Sequence, residues 1–437
     1  MNTLEQLRTG ALQGTQRLTL RAGLRDLPEA IYTLADTLEV LDLSGNELSD
    51  LPQDLARLHR LRVIFCSDNR FTRLPEALGR CEALEMVGFK ANRITEVPAA
   101  ALPPRLRWLT LTDNRIAVLP DELGRRPWLQ KVMLAGNQLC ALPDALSGCE
   151  RLELLRISAN RLEGLPDWLL TLPRLSWLAH GGNPFSAAQE AAALKQALMP
   201  RVPWPQLAVQ ALLGEGASGH IYRAAHPGGE AVALKVFKGE VTSDGLPATE
   251  LAACLQAGSH PQLIPAIGRL SGHPDGADGL LMPLVNPEFR TLAGPPSLAS
   301  CTRDVYDPAL RLTPRAVLTL AAGIADALAH LHACGLSHGD LYAHNILHDG
   351  LGQARLGDFG AASFLSSVPP AQAARLRALD VRALGCLMEE LLGCCNEATP
   401  ALTSMSALSQ ACLQADVNSR PSADEVAQRL RTPSGEA

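Results

Sequence analysis

The sequence predicts an α/β chain in two unlike parts: a solenoid of short repeated strands, then a non-repetitive α+β half. Two observations predict it. Asn46, Asn69, Asn92, Asn114, Asn137, Asn160 and Asn183 recur at steps of 23 residues, broken by a single step of 22. Beyond residue ~205 the period ends and five short motifs follow in order. They are Leu213-Gly214-Glu215-Gly216-Ala217-Ser218-Gly219-His220-Ile221, Val232-Ala233-Leu234-Lys235, His338-Gly339-Asp340-Leu341-Tyr342-Ala343-His344-Asn345, Asp358-Phe359-Gly360 and Arg420-Pro421-Ser422.

In the first part each Asn follows a Leu-x-x-Leu-x-Leu pattern, such as Leu38, Leu41, Leu43 or Leu106, Leu109, Leu111. The alternation makes a short strand with one apolar side. The Asn amide is placed to bond backbone groups at the turn, repeat after repeat. Leu-Pro or Val-Pro then ends the strand at Pro28, Pro52, Pro75, Pro98, Pro120, Pro143 and Pro166. One unit cannot bury its own leucines, so the units must stack. The pattern resembles the leucine-rich repeat family, with about eight units. His180 stands in a leucine phase of the last unit and reads as the irregularity of a terminal repeat. Residues Ser186–Leu198 read as a helix covering the open end.

Between the leucines, one outward column reads Val40, Val63, Met86, Trp108, Lys131, Leu154, Trp177, and the next Asp42, Phe65, Gly88, Thr110, Met133, Arg156, Ala179. The first column is apolar for an exposed face. It is read as a concave surface for a protein partner, anchored by Val63, Met86, Trp108, Leu154 and Trp177. Packing of the second half or of the capping helix on the same face is the alternative.

In the second part, Gly214, Gly216 and Gly219 let backbone amides approach phosphate oxygens. A lone loop of this kind is weak evidence; five ordered motifs over about two hundred residues are strong evidence, and together they resemble a protein kinase of bacterial leucine-rich repeat type. The resemblance implies a bilobal α+β domain that binds ATP and Mg²⁺. It makes Asp340 the acceptor of the substrate hydroxyl proton and Lys235 the phosphate ligand, with Glu250 as its carboxylate partner; Glu240 lies too close to the strand. Asn345 and Asp358 become the Mg²⁺ ligands. Gly214, Gly216, Ser218, Gly219, Ile221, Ala233, Lys235, Met282 and Leu284 line the nucleotide, with Pro283–Val285 beside the adenine. Asp380 resembles the family's buried Asp that holds the catalytic-loop backbone, and Arg420 opens the final helix.

Three departures bear on activity. Gly339 stands where regulated members carry an Arg that grips an activation-loop phosphate, so control by loop phosphorylation is not expected. Tyr342 replaces a Lys two residues after Asp340. Only nineteen residues separate Gly360 from Asp380, without an Ala-Pro-Glu platform for a peptide. Two other readings therefore stay open: a small-molecule phosphotransferase, and a repeat scaffold with a non-catalytic kinase-like domain. The filled roles of Lys235, Asp340, Asn345 and Asp358 favour a protein kinase acting on Ser or Thr.

Residues 1–185 are assigned to the repeats, 186–204 to a capping helix and Pro-rich linker, and 205–437 to the catalytic domain. A net charge of −6 gives no general pull towards nucleic acid or anionic lipid. No secretory signal is read at the N-terminus, and the apolar stretch Val317–Leu331 is interrupted by Asp326 and His330, so no membrane span is expected. Eleven scattered cysteines, with Cys81 and Cys149 in one repeat phase, read as free thiols in a reducing cytoplasm.

Overall fold

The computed structural model of the chain describes residues 2–196, 199–216, 218–226 and 228–431. They form two compact units, Met1–Leu155 with Asn160–Leu169, and Arg156–Ala159 with Leu170–Ala437.

The first unit opens with helix α1 (Leu4–Arg8), closed at its start by a reciprocal capping box of Thr3 and Gln6. Three-residue strands then follow at the repeat step: β1 (Arg17–Thr19), β2 (Val40–Asp42), β3 (Val63–Phe65), β4 (Met86–Gly88), β5 (Trp108–Thr110), β6 (Lys131–Met133) and β7 (Leu154–Arg156). β1 to β6 pair in parallel and in sequence order, so Val40 faces Val63, Val63 faces Met86 and Met86 faces Trp108. Leu38, Leu41, Leu43, Leu106, Leu109 and Leu111 are 0% exposed. Each such leucine contributes about 1.5–3 kcal/mol by leaving water. Pro28, Pro75, Pro98, Pro120 and Pro143 each precede a short 3₁₀ turn that carries the chain back.

The asparagines form the ladder that the period implies. Asn114 accepts from the Ile94 amide at 3.0 Å and donates to Phe89 O at 2.9 Å and Leu111 O at 3.0 Å. Asn137 repeats this with Ile116, Leu111 and Leu134. The residue before each of these asparagines has a positive φ, at Gly45, Asp68, Ala91, Asp113 and Gly136 alike. The Asn side chain thus satisfies the backbone of a left-handed corner that most residues adopt only at a cost.

The apolar column is a correction to the sequence reading. Val63 is 5% exposed, Met86 2% and Leu154 4%, so none of them is a free anchor. Val63 and Met86 have in-register neighbours on strands only about 4.8 Å apart. Trp108 stays partly exposed, with its Nε1 donating to Thr110 Oγ1 at 2.8 Å and the Lys131 ammonium 4.0 Å from its ring.

The second unit takes Arg156, the last residue of β7, and then holds the repeat-derived strand β8 (Trp177–Ala179) and helix α2 (Ala187–Gln196). Trp177 is also corrected: it is buried, donates to Leu341 O at 3.0 Å and stacks on Tyr342 at 4.3 Å, so it packs and does not dock a partner. His180 is fully buried beside the Phe185 ring, neither ring nitrogen has a hydrogen-bond partner among the described residues, and burial pulls its pKa down to about 4. Part of the Pro-rich segment forms strand β9 (Arg201–Pro203). Next come β10 (Ala208–Glu215), β11 (Gly219–Ala225), β12 (Ala231–Phe237), helix α3 (Pro247–Ala257), β13 (Gly268–Ser271) and β14 (Gly279–Pro283). The six strands form one sheet in the order β10-β11-β12-β14-β13-β9. Its core is Val202, Leu234, Val236, Leu270 and Leu281.

The lower part holds β15 (Arg290–Thr291), α4 (Pro314–Ala333), β16 (Leu336–Ser337), β17 (Ile346–His348), β18 (Ala354–Leu356), β19 (Ser363–Phe364), α5 (Pro370–Gly393), α6 (Pro400–Cys412) and α7 (Ala423–Arg431). By length and composition α4 is apolar enough to cross a bilayer, despite Asp326 and His330. Here it is a core helix: Val317, Leu320, Ile324, Leu328 and Leu331 are buried, and Asp326 on its other side pairs with Arg431. Arg420 precedes α7 and donates to the carbonyls of Gln414, Ala378 and Pro173. Burial draws it down to about 10.

Candidate active site

Strand β12 sets the first group. Its register places Lys235 opposite Ile221 and Ala233 opposite Met282. Lys235 is buried, and its ammonium lies 2.7 Å from Glu250 Oε1 and 3.3 Å from Asp358 Oδ1. Glu250 stands in the first turn of α3, which Pro247 starts, where the helix dipole favours a carboxylate. Burial alone would lower the Lys235 pKa; the carboxylates of Asp358 and Glu250 outweigh it and hold the ammonium well above its usual range. Burial pushes Glu250 up and Lys235 pulls it back, leaving it at about 7. Asp358 is pushed up by burial but held below the usual carboxylate range by Lys235 and by the Gly360 amide. It also has a positive φ of 54°, a left-handed backbone conformation that most residues adopt only at a cost.

The Gly-rich turn joins β10 to β11, closed by the Gly216 amide donating to Gly219 O at 2.9 Å. A side chain on Gly214 or Gly216 would meet nothing within 4 Å, which leaves their backbone approachable. At Gly219 the requirement is packing: a Cβ would lie 2.5 Å from Val236 O. Ser218 is buried, and Ala217 lies outside the described residues. Met282, next to the end of β14, is half-buried, and Leu284 follows the strand.

The catalytic loop is pinned from below by Asp380 on α5. Its carboxylate accepts the His338 amide at 2.8 Å and the Gly339 amide at 2.9 Å, and it faces His332 Nε2 at 3.0 Å. Asn345 donates to Asp340 Oδ2 at 2.8 Å and to Asp340 O at 3.0 Å. His344 is held by Asp304 through its ring at 2.7 Å and its amide at 2.9 Å. Burial works against charge on His344, but Asp304 raises its pKa overall. Gly339 has a φ of 70°, and a Cβ there would lie 2.5 Å from Leu178 O and 2.7 Å from Ala361 O. The absent arginine is therefore a steric exclusion. After Asp358-Phe359-Gly360, only Ala361–Pro369 precedes α5.

One residue escaped the sequence reading. Arg156, in the second strand column, is 2% exposed and donates to Asp244 Oδ1 at 2.7 Å, to Gly339 O at 3.0 Å and to the carboxylate of Asp340. The only sequence signal was a cation in a column that otherwise reads Asp42, Phe65, Gly88, Thr110, Met133 and Ala179.

Comparison with known proteins supports both halves. Residues 207–378 match the protein kinase domain family, and residues 37–58 and 104–162 match leucine-rich repeat families. The DNA damage-responsive serine/threonine-protein kinase RqkA of Deinococcus radiodurans is 35% identical over 175 residues, 37% of this chain and 24% of that protein. The CTD kinase subunit alpha of Schizosaccharomyces pombe is 29% identical over 158 residues, 36% of this chain and 24% of that protein. The chain thus spans about a quarter of the length of these relatives. It carries leucine-rich repeats followed by a protein kinase domain. Such domains generally use ATP and Mg²⁺, and such repeats are generally protein-interaction modules.

Proposed function

We propose that this chain is an ATP-dependent protein kinase that transfers the γ-phosphoryl group to a Ser or Thr hydroxyl, with its repeats choosing a protein partner. The observation that carries the reading is the convergence of Lys235, Glu250 and Asp358 within 3.3 Å contacts, in the same unit as the Asp340–Asn345 pair at 2.8 Å. Lys235 orients and neutralises the ATP phosphates, and Glu250 holds Lys235 in place. Asp340 accepts the proton of the attacking hydroxyl. The open backbone at Gly214 and Gly216 lets the phosphates approach the Gly-rich turn, and Ile221, Ala233, Met282 and Leu284 border the base. The serine/threonine specificity named for the Deinococcus relative supports the choice of hydroxyl.

The donor set fits Mg²⁺. Asp358 supplies a carboxylate, and Asn345, both of whose amide protons go to Asp340, keeps an oxygen that only accepts. Among the described residues no group of three or more His, Cys, Asp or Glu forms a closed metal cage. One carboxylate and one amide oxygen are donors that suit a hard cation shared with substrate phosphates. When bound, Mg²⁺ would neutralise charge on the transferring phosphoryl group.

Trp108, with Phe65 and Met133, is the part of the repeat face proposed to meet a protein partner; all three are partly exposed. Eleven free thiols support a reducing, cytoplasmic location. The short Ala361–Pro369 segment favours a small-molecule phosphotransferase as the second reading. Incubation of the full chain with labelled ATP and Mg²⁺, followed by phosphosite mapping, separates the two. Incorporation into Ser or Thr of the chain or of a protein, lost in Asp340→Asn, is the expected result. ATP turnover without any phosphorylated protein would overturn the proposal.

A further inference from the structure

We propose that Arg156 is a positioning residue for phosphoryl transfer: it fixes the Asp340 carboxylate and ties the catalytic loop to the turn ahead of α3. The inference rests on the kinase reading above. The loop His338–Asn345 contains no Lys or Arg. Arg156 supplies the missing fixed cation, and it belongs to the same compact unit as that loop.

Its bonding is divided between two structural elements. Nε donates to Asp244 at 2.7 Å; Nη1 donates to Gly339 O at 3.0 Å, and Nη2 to Asp340 Oδ1. A planar guanidinium holds three such bonds in one fixed geometry, which an ammonium cannot do. Asp244 sits in a tight turn, closed by Thr242 Oγ1 donating to Gly245 O at 3.0 Å, and that turn leads into α3 with Glu250. The line of contacts therefore runs from Asp340 through Arg156 and Asp244 to the helix that orients Lys235.

The residues beside Arg156 pack along the same path. A Cβ on Gly245 would lie 2.9 Å from Ser158 Cβ, and one on Gly181 would lie 2.6 Å from Thr249. Glu190 of α2 accepts from Thr249 Oγ1 at 3.2 Å. These contacts brace α3 in the position that forms the 2.7 Å Lys235–Glu250 pair.

Arg156 could instead be a plug that covers the base. Two observations favour positioning. The Lys235–Glu250–Asp358 cluster is fully assembled beside it, and a plug has no need of that. Asp340 gives Oδ1 to Arg156 and Oδ2 to Asn345, one bond each. Each carboxylate oxygen has two lone pairs, so the group is held against rotation and still accepts a hydroxyl.

The test uses the full chain and steady-state transfer with varied ATP. Arg156→Ala should lower kcat on the order of 10²-fold, the cost of misplacing a reacting group by about an ångström. KM for ATP should stay within about twofold, because Lys235 and the Gly-rich turn are untouched. Arg156→Lys should recover part of kcat, and a folded variant with partial recovery excludes a general loss of fold. Hydrogen exchange should quicken in Arg156→Ala at residues 242–247 and 338–345. A kcat that is unchanged or raised in Arg156→Ala overturns the inference. If the wild type transfers nothing, the kinase reading fails by itself, and unaltered exchange at those two segments overturns the positioning role.

Discussion

Both units bury polar side chains, and the two sets differ in charge and in reach. In the repeats the recurring buried group is the neutral amide of the asparagine ladder, beside one buried cation, Lys131, over the Trp108 ring. Asn46, Asn69, Asn114 and Asn137 are 7–8% exposed, and each bonds backbone of its own corner and of the preceding repeat. In the kinase unit several are ions: Lys235, Glu250, Asp340, Asp380 and Arg156 are all at most 9% exposed. Their partners lie far along the chain, Asp358 for Lys235, His338 for Asp380 and Asp340 for Arg156. A buried amide with all its bonds made is a modest stabiliser. Buried ions cost several kcal/mol each in desolvation and repay it only with good geometry. The first arrangement serves the fold; the second stands where the proposed reaction needs charge.

The largest expected effect breaks the ionic side of this comparison. Lys235→Met should lower phosphoryl transfer on the order of 10³-fold or more, the scale of losing a preorganised charge in a closed site. The fold should survive. Loss of one ion normally strands its partner, but Glu250, already pushed to about 7, can take a proton and bury as a neutral acid. Transfer assays and thermal melting of the variant check this. A variant that transfers near the wild-type rate removes Lys235 from the site.

The neutral side should fail in the opposite way. Asn114→Ala leaves the Ile94 amide and the Phe89 and Leu111 carbonyls without their side-chain partner. Each buried group left unsatisfied costs about 1–3 kcal/mol, so the repeats should melt at clearly lower temperature or denaturant. Transfer per folded molecule should not change. Asn92, which makes similar bonds but is less buried, should cost less on the same substitution. Equal losses at Asn92 and Asn114 would show that burial does not set the cost.

The same contrast explains what the sequence disclosed. The ladder was legible because a local bond repeats with the period: Asn, corner and return recur at one spacing. Lys235, Asp340, Asn345 and Asp358 were legible because their motifs are short and ordered. Glu250 was found because a buried lysine needs a carboxylate on the next helix. The closed state of Val63 and Met86 was missed, because outward alternation says which way a side chain points and not how fully its neighbours cover it. Trp177 and Arg156 were missed for another reason. Each occupies an ordinary repeat position, and only the tertiary fold brings it to Leu341, Tyr342 or Asp340. No periodicity encodes a contact between residues almost two hundred positions apart.

The smallest effect concerns pH and sharpens the cost of the ionic arrangement. Burial lifts Glu250 from an ordinary 4.5 to about 7 against the pull of Lys235. In the unfolded chain the same carboxyl has already lost its proton near 4.5. Between these two values the folded state binds the extra proton, so Glu250 makes folding less favourable as pH rises through that window. The charged Lys235–Glu250 pair is complete only above about 7. Transfer should therefore climb with pH on the acid side, about tenfold per unit, and level off above neutrality. Glu250→Gln, which cannot titrate, should be slower at pH 8 and should lose this limb. A pH–rate profile of both proteins from pH 5.5 to 8.5 reads the difference. A wild-type rate that is flat across that range would mean Glu250 stays ionised throughout, and that the ion pair offsets its burial completely.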